Sequence, residues 1–251
     1  WERDEYKKFS ATSSKTLQEQ LQQTTETLGR YSPAVVIFVA ILLTLISFDQ
    51  VMSVDPYWYS TMFGGFYFIT GIYLAMAWVS MSVGICRQIH PLFLAKVEKR
   101  TLHDLGKLLF GFGIFWAYLF WSQYLPYWYS NIPEFTGYLI ARLRVEPWHG
   151  LAWIVLGSCF IVPFLLGLSR DVKQVPVLLF GTGCIVALGL WLQMYLLFAP
   201  TLYPTEIPIG LLDVAIGLGF LSTFVLMSES FLRRYPLIPF GDLELEESSH
   251  E

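Results

Sequence analysis

The sequence predicts an all-α fold, a polytopic bundle of six transmembrane spans with both termini in the cytoplasm. Three observations carry this prediction. The chain of 251 residues has only 16 Lys+Arg and 20 Asp+Glu, 14% charged, against 55% hydrophobic residues and a mean hydropathy of +0.51, too little charge to cover a soluble protein of this size. Its apolar residues come in long blocks free of charge, which excludes a disordered chain. It lacks the alternating ten-residue strands of an outer-membrane barrel, so the blocks are read as helices.

The first 32 residues are polar, with Gln18, Gln20, Gln22 and Gln23 set among Leu17, Leu21 and Leu28, three leucines that share a helix face. The segment has neither the n-region nor the cleavage site of a signal peptide. It reads as a cytoplasmic helical arm, or as a linker following upstream sequence. A ~30 Å hydrocarbon core needs about 20 apolar residues per helix, and six stretches qualify within a membrane domain spanning 33–232. They lie at 33–48, 57–85, 108–128, 150–168, 175–198 and 207–228. The remaining residues, 233–251, form an acidic tail.

Orientation follows from the basic residues, because cytoplasmic loops retain Lys and Arg. With the arm inside, 14 of the 16 basic residues fall on the cytoplasmic side and only Arg142 and Arg144 outside. The aromatics sort the other way. Tyr57, Trp58, Tyr59, Tyr124, Tyr127, Trp128, Tyr129, Trp148 and Tyr203 gather at outer helix ends, a belt that suits lipid anchoring, a periplasmic partner or a quinone entrance.

Ligand counting argues against an internal redox centre. Cys86, Cys159 and Cys184 form no CxxC pair and sit on three spans, while His90, His103, His149 and His250 lie at helix ends, loops or the tail. Neither set suits an iron–sulfur cluster, a structural zinc or a pair of haem ligands, and no metal site is expected. No Gly-rich nucleotide loop is present either, and no nucleic-acid partner is expected.

Polar groups at membrane depth are costly and are the candidates for function. Asp49 closes span one; if the helix continues to Met52 it must face the bundle, as a proton-carrying carboxylate or as a satisfied helix-end acid. Asp55 before Pro56 has the same two readings. Span three opens on His103, Asp104 and Lys107, either a proton entrance or a solvated basic helix end, and runs through Gln123 to Asn131, Pro133 and Glu134. Pro133-Glu134 has the form of a broken helix that aims a carboxylate back at the bundle. Gln193 reads as an interhelical linker or a site residue, and Asp213, between Gly210 and Gly217, as a buried acid in a packed interface. His149, Trp148 and Tyr124 are candidates for contact with a quinone, or are simply interfacial.

The run TLHDLGKLLFGFGIFWAYLFWSQYLPYWYSNIPE, 101–134, strongly resembles the NrfD-like membrane subunits, of polysulfide-reductase type, in bacterial alternative complex III. It is most similar to the smaller of the two such subunits. SFDQVMSVDPYWYSTMFGGFYF at 47–68, IVPFLLGLSRDVK at 161–173, QMYLLFAP at 193–200 and the tail PLIPFGDLELEES support the likeness.

The resemblance implies an integral subunit of a quinol-oxidising complex in the bacterial inner membrane. It would hold no redox centre of its own. Its partners would be a second NrfD-like subunit, a periplasmic iron–sulfur subunit, haem c subunits and lipids, and the quinone menaquinone or ubiquinone. It further implies a part in proton translocation and assembly, with the quinol site on the larger subunit. Passive scaffold, quinone-contacting subunit and stand-alone transporter are the alternatives. Family members have about ten spans, so six suggest the C-terminal part. Phe135 and Gln193 stand where the family commonly has acids, which weakens a complete proton path. If protons do pass, Glu134→Gln or Asp49→Asn is expected to reduce pumping more than quinol oxidation.

Overall fold

The computed structural model describes residues 2–89, 97 and 99–234, with side chains for 23, 24, 26–87, 97, 99–133 and 136–231. The described residues are helical without a strand, and six helices are long and apolar enough to cross a membrane. The chain divides into two units, residues 40–208 and residues 1–39 with 209–251. His90 and the acidic tail expected beyond 234 lie outside the described residues.

The first helix, α1 (Glu2–Ile46), runs through the polar arm and Pro33 into the first span without a break. Its span ends in a π-helical turn (Ser47–Val51) and a 3-10 turn (Met52–Val54). Helix α2 (Phe63–Ile89) has 27 residues, about 40 Å at 1.5 Å per residue, enough to cross with some tilt. Helix α3 (Lys99–Ser130) returns from the basic end to the aromatic end. It stops at Asn131, whose positive φ of 48° puts it in the left-handed region favoured at helix ends, and the Asn131 N–H bonds back to Tyr127 O at 3.1 Å.

Ile132 is extended, and Pro133 starts a short helix, α4 (Pro133–Leu143), where a missing N–H costs nothing. The fourth span is interrupted: α5 (Trp148–Leu156) gives way to a π-helical stretch (Gly157–Ile161) and resumes as α6 (Val162–Leu168). A short helix, α7 (Arg170–Gln174), leads into α8 (Pro176–Leu202). In the other unit, α9 (Leu211–Arg234) exposes nearly all its side chains, as do residues 26–39 of α1; apolar surface of this kind suits lipid.

Residues 40–208 pack as a four-helix ring: α2 lies against α3 and α8, α8 against α5 and the π stretch, and α3 against α6 and α7. Without a hydrophobic drive between helices in lipid, close backbone approach must supply the contact energy. Gly183 of α8 does so against α2, since a Cβ there would fall 2.9 Å from Ala77 O. Gly113 of α3 admits the buried Tyr73 hydroxyl, 2.9 Å from where its own Cβ would be. That hydroxyl donates to Cys159 O at 2.9 Å, a carbonyl in the π stretch, where the helical ladder is locally disturbed and leaves acceptors for outside donors.

A candidate ligand pocket at the aromatic end

The aromatic ends of α2, α3, α5 and α8, with α4 beside them, enclose a pocket of about 80 Å³, room for about six waters or one small ring. Its wall is a connected set of rings. Trp58 and Tyr138 stack at 3.8 Å with planes 7° apart, Phe63 meets Trp58 edge-on at 5.3 Å, and Trp116 stacks with Phe120 at 5.9 Å. Gln123, Tyr124, Arg142 and Gln193 supply its polar positions.

Arg142 is only 4% exposed, so its charge must be answered inside the protein. Its guanidinium lies 3.3 Å from the centre of the Tyr138 ring, a cation–π contact worth more when dry. Nη1 donates to Tyr138 O at 3.0 Å, and Nη2 to Leu197 O at 2.8 Å and Thr201 Oγ1 at 2.9 Å. Thr201 Oγ1 in turn donates to Asp55 Oδ2 at 3.5 Å. The Arg142 fork thereby pins α4 to the last turns of α8, with Asp55 as a nearby countercharge. Burial pushes the Tyr138 hydroxyl up to about 12, with Asp55 adding to the rise and Arg142 opposing it. Burial also lowers the Arg142 pKa, and the neighbouring Tyr138 and Asp55 resist that shift. The phenol is therefore neutral and the guanidinium charged at physiological pH.

Two buried nitrogens of this wall have no hydrogen-bond partner, Arg142 Nε and Gln193 Nε2, while the Trp58 indole is hydrogen-bonded with the Tyr127 side chain. Each is a donor, and each leaves a cost of about 1–3 kcal/mol until it is paired. Gln193 is oriented by its other end, since Trp116 Nε1 donates to Gln193 Oε1 at 3.1 Å. That bond settles which amide end is nitrogen, so the unpaired group is the donor.

The candidates read from sequence scatter. Tyr124 and Gln123 lie on the pocket wall, with Gln123 Nε2 donating to Leu119 O at 3.4 Å. Asp55 is half-buried behind Arg142 and also accepts from Tyr57 N at 3.3 Å. Asp49 does not face the bundle. It is exposed on the π turn, two residues from both buried residues, Ser47 and Val51, and so on the opposite side of the turn. Asp104 and Lys107 are exposed and pair with each other at 2.6 Å, the arrangement of a solvated helix entrance, while His103 is half-buried with Nδ1 unpartnered. Asp213 is not a buried interface acid: half-exposed, it accepts from Gly210 N at 2.9 Å and caps the start of α9.

Trp148 is buried, but its Nε1 is already engaged with Tyr203 O and Pro204 O at 3.1 and 3.2 Å. His149 sits between Glu146 Oε1 at 3.2 Å and Trp153 Nε1 at 2.9 Å, off the pocket wall. Glu134 falls in the first turn of α4, and its side chain lies outside the described residues. The three cysteines are free thiols, Cys159 fully buried. Among the described residues, no three of His, Cys, Asp or Glu gather closely enough for a metal ion.

Sequence reasoning missed Arg142, Tyr138 and Trp58 as partners in one site. Arg142 gave a signal, as one of only two basic residues on the aromatic side. Its spacing of four from Tyr138 put ring and guanidinium on one helix face.

Comparison of the chain with family models and with curated proteins finds no match.

Proposed function

We propose that this chain is an integral membrane subunit of a quinol-oxidising electron-transfer assembly in a bacterial cytoplasmic membrane, with its termini in the cytoplasm. Its own contribution is a pocket for a membrane quinone near the outer face. One observation carries the reading: an aromatic-walled pocket in a membrane bundle whose wall includes the buried Arg142 cation and the Gln193 amide. A quinone head is a flat apolar ring with carbonyl acceptors, the chemistry such a wall complements. The sequence likeness to NrfD-like subunits supports the assembly, with iron–sulfur and haem c groups on partner chains and a second NrfD-like subunit beside this one.

Proton conduction gains less support. Of the described acids proposed for a path, Asp49 and Asp104 are exposed, Asp213 serves a helix cap and Asp55 alone is half-buried near Arg142, an arrangement that supplies no chain of acids across the bundle. Purification from native membranes tests the proposal, with the co-purifying subunits, haems and extractable quinones identified and a photoreactive azidoquinone used as label. Haem-bearing partners and labelling of peptides around Trp58 or Tyr138 are expected. Isolation of the chain without redox partners would overturn the assembly, and labelling that avoids these peptides would overturn the pocket.

A further inference from the structure

We infer that the basic end of the bundle, where α3 meets α7, binds the phosphate of an anionic phospholipid, at a site separate from the aromatic pocket and independent of the quinone reading. Two spans end there, one at Leu168 and the next opening at Pro176, and α7 (Arg170–Gln174) joins them. Helix α3 has 32 residues, about 48 Å at 1.5 Å per residue against a hydrocarbon core of about 30 Å. Its polar first turns, with His103, Asp104 and Lys107, therefore fall in the headgroup layer.

Gly106 brings the two elements together. A Cβ there would fall 2.8 Å from Lys173 Cβ, so glycine is what lets the Lys173 stem lie across α3. The ammonium is held as well, 5.4 Å from the centre of the Phe110 ring. This contact sets three cations, Lys107, Lys173 and Arg170, within electrostatic reach of His103, and Arg100 acts on Asp104 from the same helix. Two acids stand among them. Asp104 is answered by Lys107 at 2.6 Å, and Asp171 is exposed beside Arg170. Among the described residues, neither Lys173 nor Arg170 has a carboxylate within salt-bridge distance. Four cations against two acids leave positive charge in excess, and basic clusters between membrane helices on the cytoplasmic side bind anionic headgroups.

An apolar seam continues below the cations. Phe110 stacks on Phe164 at 5.4 Å, and Phe164 meets Phe160 at 5.3 Å, all three rings half-buried. From Lys173 inward, α3 and α6 thus offer ring faces on which an acyl chain can lie while its phosphate meets the cations. A free phosphate would use the cations and leave the seam idle. The crevice between Gly106, Gly167 and Lys173, about 10 Å³, holds at most one water, so the headgroup is met at the surface rather than in a cavity.

The test uses the protein purified with its native partners and stripped of lipid by detergent washing. Dioleoylphosphatidylglycerol and dioleoylphosphatidylcholine are offered in equal amounts, and native mass spectrometry counts the lipids retained. The native protein is expected to retain phosphatidylglycerol in preference. Lys173→Met keeps the stem across Gly106 and removes the charge; Arg170→Gln alters an exposed position. Each should cut the preference about fivefold, while Arg30→Gln, an equal loss of charge at an exposed residue of α1, should leave it unchanged. Unchanged thermal transitions identify folded variants, and Arg170→Gln carries the test if Lys173→Met does not fold. A native protein without preference, or an equal loss in Arg30→Gln, would overturn the site. Displacement of the lipid by millimolar inorganic phosphate would overturn it too, since the cations would then serve a free anion and not a lipid.

Discussion

Replacing Arg142 by Met should destabilise the membrane domain well beyond any effect of the neighbouring exposed Arg144. Met keeps an unbranched apolar stem beside Tyr138 and removes the fork. The lost interactions that join elements are the two Nη2 bonds, to Leu197 O at 2.8 Å and Thr201 Oγ1 at 2.9 Å, and bonds to a charged donor are worth about 1.5–3 kcal/mol each. The gross loss is therefore about 3–6 kcal/mol. Against it stands the relief of no longer burying a cation, several kcal/mol in general, here reduced because Tyr138 and Asp55 partly answer the charge. A net loss of about 2–3 kcal/mol follows. For a domain of this size it should lower the thermal transition by roughly 4–12 °C. Arg142→Lys retains a point charge without the planar fork and should recover about half. The measurement is a thermal or dodecyl-sulfate unfolding series in mixed micelles with Arg144→Met as control, expected within about 0.5 kcal/mol of the native protein. If Arg142→Met were no less stable than Arg144→Met, the pin between α4 and α8 would carry no energy and the reasoning would fail.

Two further outcomes follow from the packing and burial. Gly113→Ala should cost about 1–3 kcal/mol, because its Cβ would fall 2.9 Å from the Tyr73 hydroxyl; in a Tyr73→Phe background the same change should cost much less, and a double-mutant cycle with no coupling would refute the contact. Tyr138 holds its proton more tightly folded than unfolded, with a pKa near 12 against an ordinary value of about 10. Stability is therefore unaffected below about pH 10 and is lost as pH rises through 10 to 12. The 295 nm absorbance difference between native protein and Tyr138→Phe should titrate near pH 12, and a midpoint near 10 would show that the phenol is not buried.

Span number and helix class were legible because they rest on long runs. Twenty apolar residues in lipid leave the backbone no alternative to helix, and all six stretches read from sequence coincide with helices able to cross. Breaks within the runs were harder. The Pro133-Glu134 break was visible because Pro fixes its own φ and removes a donor. The π turns at 47–51 and 157–161 carry no such residue-level mark. Asp49 was misjudged for a different reason: lying two residues from both Ser47 and Val51, it shares no face with either.

The pocket illustrates a different limit. Searching for polar groups at membrane depth selects residues by what they are, whereas this site is defined by what its residues leave unpaired. Trp58 counted as one ring among many in an aromatic belt, and Trp148 as a better ligand contact. Their places differ once contacts are known, because the Trp148 N–H is spent on two backbone carbonyls away from the pocket while the Trp58 ring stacks on Tyr138 in its wall. Arg142 likewise stood, with Arg144, as one of two exceptions to the charge asymmetry. Its burial among Tyr138, Leu197 and Thr201 sets it apart from the exposed Arg144: its charge is held where it closes a wall. Of the two residues that departed from the orientation rule, one is thus the residue that ties α4 to α8.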